Sequence, residues 1–84
     1  MSGKRTKVNL PKSGMGIEEG TVTRWFKAVG DQVHQGDVLV EIETAKALQE
    51  VQAPAAGRLV EVLVNEGDTV PVNTALAMIE EGDL

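Results

Sequence analysis

The feature that most constrains this chain is an internal repeat. When the sequence is laid on itself with a shift of 37 positions, Gly20 falls on Gly57 and Gly30-Asp31 falls on Gly67-Asp68. Apolar positions stay in register around these matches without a gap, with Val22 on Leu59, Phe26 on Leu63, Val33 on Val70, Leu39 on Leu76 and Ile42 on Ile79. Each half has the pattern strand, Gly-Asp turn, strand, so the chain is predicted to fold as two similar halves.

The local pattern of side chains favours strands in both halves. Apolar residues recur at every second position over 38–43 and over 59–64, which is the period of a strand. Turn-forming residues recur at short spacing, at 12–14, 29–31, 35–37, 53–54 and 66–68. Many short strands separated by regular turns predict an all-β sandwich or barrel. The repeat adds that two small sheets are related by a pseudo-twofold axis.

Residues 43–50 are rich in good helix formers, and propensity alone favours a short helix there. The segment is too short to be a stable isolated helix, and it has no apolar stripe of its own. The two halves of the repeat join at this place, which predicts a turn instead. Under the same shift Lys46 falls on Asn9 and Asp83, near the two termini. The symmetry therefore predicts Lys46 at one end of the domain and both termini at the other.

Size and composition exclude several classes of function. A chain of 84 residues forms about one small domain, without room for a deep catalytic cleft. Cysteine is absent, and His34 has neither a second histidine for a metal site nor a Ser or Cys partner for nucleophilic catalysis. The net charge of -5 argues against nucleic acid. With no signal peptide and no segment of transmembrane length, we expect a cytoplasmic protein that is not an enzyme and binds no metal, nucleic acid or membrane.

The setting of Lys46 singles it out within the predicted turn. It lies between Ala45 and Ala47, and such small neighbours leave its amine accessible to a modifying enzyme. A hairpin lysine in an arbitrary protein is usually an ordinary surface residue, so the surrounding motifs must decide its role. Charged residues on the neighbouring strands, Glu41, Glu43 and Glu50, are either a solvated face or an acidic face that partners recognise.

Several spaced motifs frame this lysine in a fixed order. They are Leu10-Pro11-Lys12, Gly16-Ile17-Glu18-Glu19-Gly20-Thr21-Val22, Trp25-Phe26, Gly30-Asp31-x-Val33, Gly36-Asp37-x-Leu39, Glu41-Ile42-Glu43-Thr44-Ala45-Lys46-Ala47 and Glu50-Val51-x-Ala53-Pro54-x-x-Gly57. Through them the chain resembles, over nearly its whole length, the lipoyl domains of 2-oxo acid dehydrogenase acyltransferases. The resemblance implies a flattened β-barrel or sandwich of two four-stranded antiparallel sheets, the barrel-sandwich hybrid. The family most often has Asp before the lysine, where this chain has Ala45.

The resemblance also implies a carrier function without catalysis. Lipoate would be attached covalently to Lys46 by a lipoate-protein ligase or a lipoyl transferase. The resulting swinging arm would shuttle acyl groups and electrons between a thiamine-diphosphate 2-oxo acid decarboxylase, the acyltransferase core and dihydrolipoyl dehydrogenase. Recognition by these partners would fall to the turn and to the loop beside it, that is, to Glu43, Thr44, Ala45 and Ala47 and to Ser13, Gly14, Met15 and Gly16.

For the organisation of the chain, we expect residues 1–7 to be a flexible N-terminal segment and residues 8–81 to be the lipoyl domain. Residues 82–84 are expected to be a tail or the start of a linker. The isolated domain is expected to be a monomer. The resemblance is compatible with pyruvate, 2-oxoglutarate, branched-chain and acetoin-type systems. It is also compatible with either an excised domain or a free-standing carrier.

Three alternative functions stay open. Biotin carriers share the fold and the hairpin lysine, but they typically have Met on both sides of it, where this chain has Ala45 and Ala47. The glycine-cleavage carrier also bears lipoyl-lysine, on a substantially longer chain. An unmodified lipoyl-like interaction domain lacks the attachment lysine, so Lys46 argues against that alternative.

Overall fold

Eight strands form the regular structure in the computed structural model, which describes residues 4–11 and 18–81. They are β1 (Lys4–Asn9), β2 (Glu19–Trp25), β3 (Gln32–Val33), β4 (Val38–Glu43), β5 (Leu48–Gln52), β6 (Gly57–Val62), β7 (Thr69–Pro71) and β8 (Ala75–Glu81). One four-stranded sheet, here the terminal sheet, has the order β1-β8-β6-β3, and the other, the lysine sheet, has the order β5-β4-β2-β7. All strand pairs are antiparallel.

The two sheets form a sandwich. Each has two edge strands, β1 and β3 in one and β5 and β7 in the other, and no ladder between described strands joins the sheets into a closed barrel. The predicted all-β fold of two four-stranded antiparallel sheets is therefore confirmed, and of the two forms expected the sandwich is the correct one. Within the described ranges no helix is long and apolar enough to cross a membrane.

The internal repeat relates the sheets strand by strand. The order β5-β4-β2-β7 matches β1-β8-β6-β3, so that each strand has one equivalent in the other sheet. The ladder between β2 and β4 shifts register between Val22 and Arg24. The ladder between β6 and β8 shifts at the equivalent place, between Leu59 and Glu61. The pseudo-twofold relationship predicted from the repeat thus extends to the positions of the irregularities.

The equivalence of β1 and β5 corrects one prediction. Val8 in β1 and Val51 in β5 each stand just before a register shift, and Asn9 and Gln52 follow them. Asn9 is therefore equivalent to Gln52 and not to Lys46. The cause is that β1 precedes the repeat along the chain, so its shift onto β5 is 43 positions, from Val8 to Val51.

The two ends of the described chain and the Lys46 turn lie at opposite ends of the sandwich, as the repeat predicts. Lys4 pairs with Glu81, which brings the two ends of the described chain together. At the start of β2, near the Lys46 turn, Glu19 pairs with Pro71 at the end of β7. Strand β8 begins four residues later, at Ala75, and runs from there to the terminal end.

Strand β1 begins at Lys4, so residues 4–7 of the expected flexible segment belong to the terminal sheet. They pair with β8 residue by residue, and the Thr6 hydroxyl donates a hydrogen bond to the Glu81 carboxylate. Val8 is buried, whereas the basic residues of this strand are exposed. The single inward apolar side chain among several charges explains why the pattern of this strand is weak in the sequence.

Much of the core is built from positions that the repeat keeps apolar in both halves, while Val8 and Leu10 precede the repeat and Val64 falls on Lys27. Its most completely buried large side chains are Leu10, Leu39, Ile42, Leu59, Leu76, Ile79, Val22, Val33 and Val40. Of the two aromatic residues, Trp25 packs against this cluster and its indole Nε1 donates to the Val64 carbonyl oxygen at 3.1 Å. Phe26 is 41% exposed, so Trp25 is the aromatic residue with a structural role in the core.

Candidate functional site

Lys46 lies at the tip of the hairpin that joins β4 to β5. Glu43 at the end of β4 pairs with Leu48 at the start of β5, which leaves the four residues 44–47 to make the connection. Residues 43–50 are therefore the end of one strand, a tight turn and the start of the next strand, and the predicted turn is confirmed. Ala45, Lys46 and Ala47 are all exposed.

Thr44 organises this turn from its first position. Its amide N–H donates to the Ala47 carbonyl oxygen at 2.9 Å, and its hydroxyl donates to the same oxygen at 2.8 Å. The hydroxyl oxygen in turn accepts the N–H of Lys46 at 3.3 Å and the N–H of Ala47 at 3.2 Å. Thr44 is only 9% exposed, and it is the one buried polar side chain in the described part of the chain.

The side chain of Lys46 is free of such restraints. It is exposed, and within residues 4–11 and 18–81 its ammonium group has no hydrogen bond or ion pair. The flanking methyl groups of Ala45 and Ala47 are too short to cover it. The amine of Lys46 is therefore accessible from solvent.

An acidic and partly apolar surface surrounds the turn. A surface cavity of about 550 Å³ lies beside it, lined by Glu18, Glu19, Gly20, Thr21, Glu43, Thr44 and Ala45. On the other side of the hairpin Leu48 is 59% exposed, and Glu41 and Glu50 pair directly across the two strands. Leu48 is not among the predicted site residues, although its place two residues after Lys46, on the same strand face as Glu50, is the signal that could have found it.

The residues predicted to take part in recognition differ in how they are placed. Glu43, Ala45 and Ala47 are exposed around the tip, where a partner can contact them, whereas Thr44 is buried and bonded within the turn. The remaining predicted residues, Ser13, Gly14, Met15 and Gly16, lie outside the described residues. The geometry therefore brings three of the eight predicted residues to the surface next to Lys46.

His34, the lone histidine, belongs to a turn. It is 74% exposed at the side chain, its Nδ1 lies 3.6 Å from Asp37 Oδ2, and its backbone N–H donates to the same oxygen at 2.9 Å. Among the residues that the structure describes, no group of three or more His, Cys, Asp or Glu side chains is placed to hold a metal ion.

The fold and the exposed hairpin lysine define a class of protein, the small sandwich domains that carry a covalently attached group. A family model described as "Biotin-requiring enzyme", the biotin/lipoyl attachment family, matches residues 6–79. The chain belongs to this family.

Two curated relatives are acyltransferase components. The succinyltransferase component of the 2-oxoglutarate dehydrogenase complex from Staphylococcus saprophyticus is 47% identical over 76 residues, which cover 90% of this chain and 18% of that protein. The acetyltransferase component of the pyruvate dehydrogenase complex from Corynebacterium glutamicum is 42% identical over 82 residues, 98% of this chain and 12% of that protein. The chain therefore spans less than a fifth of the length of either relative.

The fold of this chain matches almost the whole of one solved domain. The lipoyl domain of the 2-oxoglutarate dehydrogenase complex from Azotobacter vinelandii superposes with a TM-score of 0.71 and 36% sequence identity, covering 90% of this chain and 99% of that domain. The resemblance to lipoyl domains that the motifs indicated is thereby confirmed.

Proposed function

We propose that this chain is a lipoyl carrier domain in which lipoate is joined by an amide bond to Nζ of Lys46. The observation that carries the proposal is the tip of the β4–β5 hairpin, where Lys46 is exposed between two alanines and has no hydrogen bond or ion pair with the residues that the structure describes. The match to a solved lipoyl domain, which this chain covers almost completely, supports the same function.

The residues of the tip fit the group that they would hold. Lys46 is exposed, and it lies beyond the last pair of the β4–β5 ladder, Glu43 with Leu48. Bound lipoate supplies a dithiolane that takes up an acyl group as it is reduced, passes that group on as a thioester and is then reoxidised. Amide formation removes one positive charge, so the formal net charge of -5 becomes -6.

The protein contributes presentation of the arm. Because the termini lie at the opposite end of the sandwich, a chain attached there leaves the arm facing away from its tether. A tethered carrier keeps its reactive group at high local concentration near successive active sites. In this proposal the domain acts as a non-catalytic carrier, and the acid, base and nucleophile chemistry belongs to the enzymes that it serves.

The partners in this proposal are the enzymes that act on the arm. They are a lipoate-protein ligase or lipoyl transferase, a thiamine-diphosphate 2-oxo acid decarboxylase, the acyltransferase core and dihydrolipoyl dehydrogenase, with a monomeric domain working in the cytoplasm. The relatives carry the names of a succinyltransferase and an acetyltransferase at similar identity, which supports a 2-oxo acid system without favouring one acyl group. Glu43, Ala45 and Ala47 are the residues that such partners would contact first.

Intact mass after enzymatic modification tests the proposal. The parent chain, Lys46→Arg and the matched control Lys7→Arg are incubated with lipoate-protein ligase, lipoate and ATP. We expect the parent and Lys7→Arg to gain the mass of one lipoyl group and Lys46→Arg to gain none. The proposal fails if the folded parent gains nothing, or if Lys46→Arg is still modified. A parallel incubation with biotin ligase distinguishes the rival carrier function, for which we expect no gain.

A further inference from the structure

We infer that Thr44 is a positioning residue for the reactions at Lys46, because its buried hydroxyl fixes the turn from which the lysine projects. The inference rests on the proposed function and deepens it. It gives Thr44 a different role from the partner contact that the sequence suggests. The hydroxyl acts through the main chain of the turn and need not touch any partner.

The hydroxyl uses its full hydrogen-bonding capacity inside the turn. A hydroxyl offers one O–H donor and two acceptor lone pairs. Here the donor goes to the Ala47 carbonyl oxygen at 2.8 Å, and the oxygen accepts the N–H of Lys46 at 3.3 Å and that of Ala47 at 3.2 Å. One side chain thus satisfies the amide of the modified residue itself and both main-chain groups of the residue after it.

No other side chain of the turn can replace these bonds. Ala45 and Ala47 have no polar atoms, and the side chain of Lys46 has no acceptor. Without the hydroxyl, the N–H groups of Lys46 and Ala47 would bond to water, and the bond from the Thr44 N–H to Ala47 at 2.9 Å would close the turn alone. The order of the tip therefore depends on a single hydroxyl group.

The Lys46 turn differs in this respect from the three Gly-Asp turns of the described chain. Those at Gly30, Gly36 and Gly67 use a glycine with positive φ, and the aspartate after each glycine accepts a backbone N–H three residues earlier. The Lys46 turn contains no glycine. The residue that fixes its conformation, Thr44, comes before the tip. Ala45, Lys46 and Ala47 can therefore keep small or functional side chains without loss of the turn.

Burial argues against a direct recognition role for Thr44. Its side chain is only 9% exposed, whereas the residues on either side of it, Glu43 and Ala45, are exposed and accessible to a partner. Thr44 lines the cavity beside the turn, but its hydroxyl is engaged by three hydrogen bonds within the turn, so a partner senses it mainly through the position of the tip. That position matters because a displacement of about 1 Å in a reacting group lowers a rate by up to roughly 100-fold.

The test compares two substitutions that separate the hydroxyl from the shape of the side chain. Thr44→Val keeps the β-branched shape and removes the hydroxyl, and Thr44→Ser keeps the hydroxyl. Thr23→Val is the matched control, since it removes an exposed threonine hydroxyl of the same sheet that bonds to Glu41, away from the tip. We measure kcat and KM for modification by lipoate-protein ligase, amide hydrogen exchange at Lys46 and Ala47, and the urea unfolding midpoint.

We expect Thr44→Val to lower kcat about 10-fold with little change in KM, because the exposed contact residues are unchanged while the nucleophile is misplaced. Exchange should accelerate at the Lys46 and Ala47 amides and stay unchanged elsewhere. Thr44→Ser should restore kcat to within about twofold of the parent, and Thr23→Val should match the parent. If Thr44→Val lowers the unfolding midpoint so far that the fold is lost, Thr44→Ala provides the second variant without the hydroxyl.

Two results would overturn the inference while leaving the carrier function intact. One is a folded Thr44→Val chain that is modified at the parent rate. The other is a loss confined to KM with unchanged amide exchange at the tip, which indicates a direct partner contact. A parent chain that is not modified at all is a different result, since it overturns the proposed function and the inference together.

Discussion

Gly57 packs against the main chain of Glu80 so closely that a Cβ atom at Gly57 would overlap the Glu80 carbonyl oxygen. The equivalent residue of the other half, Gly20, is also tightly enclosed, but there the nearest obstacle is the side chain of Ile42. The repeat therefore retains glycine at this position because two strands approach each other closely. Only at Gly57 is the obstructing atom part of the backbone, which cannot move aside by a change of rotamer.

This contact predicts that Gly57→Ala is strongly destabilising. We expect a loss of about 3 kcal/mol in the free energy of unfolding, because the Glu80 main chain must shift within a paired strand. Gly67→Ala is the matched control. It has open space around the added methyl group but a φ of 97°, which should cost about 1–2 kcal/mol. Urea unfolding of the parent, Gly57→Ala and Gly67→Ala measures both losses. A Gly57→Ala chain as stable as Gly67→Ala would contradict the close packing of Gly57 against the Glu80 main chain.

Glu41 and Glu50 pair directly across β4 and β5, and like charges at such a cross-strand pair destabilise a sheet. Glu50→Gln should therefore raise the free energy of unfolding by about 0.2–1 kcal/mol. If partners recognise the acidic face, the same change should lower kcat/KM for lipoylation at low salt by roughly twofold to fivefold, with the difference fading as salt is added.

Glu61→Gln is the control for Glu50→Gln. Glu61 is an exposed glutamate of the terminal sheet that pairs with Met78, so its neutralisation changes the net charge equally without relieving a carboxylate pair. Glu50→Gln should raise the free energy of unfolding and lower kcat/KM for lipoylation at low salt, whereas Glu61→Gln should leave both close to the parent values. Equal effects on both would show that net charge matters and that the face beside Lys46 has no special role.

The backbone N–H of His34 donates to the Asp37 carboxylate at 2.9 Å, and this bond holds the pKa of Asp37 below its ordinary value. The positive charge of Lys27 acts in the same direction. Because the unfolded chain then binds a proton more readily, Asp37 stabilises the fold fully above the ordinary pKa of aspartate. This contribution is lost as the pH falls through the lowered value.

The stability difference between the parent and Asp37→Ala should therefore shrink as the pH is lowered from about 6 to about 2. Unfolding midpoints across that range measure the difference, and an NMR titration of the Asp37 side chain gives its pKa directly. An NMR titration that gives Asp37 a pKa at or above the ordinary aspartate value would contradict the role assigned to the His34 amide.

The repeat in the sequence was sufficient to predict most of the fold. Matched positions such as Val22 and Leu59 required equivalent strands, and the structure places them at equivalent points beside the register shifts. The repeat could not place β1, because that strand precedes the first repeat unit and matches β5 only through the symmetry of the folded sheets. The shift of 37 positions therefore aligns Asn9 with Lys46, whereas the structural equivalent of Asn9 is Gln52.

The attachment site was predictable only in part. The position of Lys46 on a turn followed from the junction between the two halves, and its proposed modification follows from the motifs around it. The burial of Thr44 could not be read from the sequence, because a threonine beside an exposed turn is as compatible with an outward as with an inward side chain. Its direction is set by the strand pairing that ends at Glu43 and Leu48, together with the bonds to Ala47.

The most direct test of the carrier function is acylation of the lipoylated domain by a decarboxylase. The modified chain and free lipoamide are compared as acceptors. Each is incubated with the thiamine-diphosphate enzyme of a pyruvate, a 2-oxoglutarate, a branched-chain and an acetoin-type system, and acyl gain is followed by mass. With at least one decarboxylase, kcat/KM for the domain should exceed that for lipoamide by at least about 100-fold, because contacts of the protein away from the dithiolane contribute to the transition state. A domain that is acylated no faster than free lipoamide by every one of these four enzymes would contradict the carrier function.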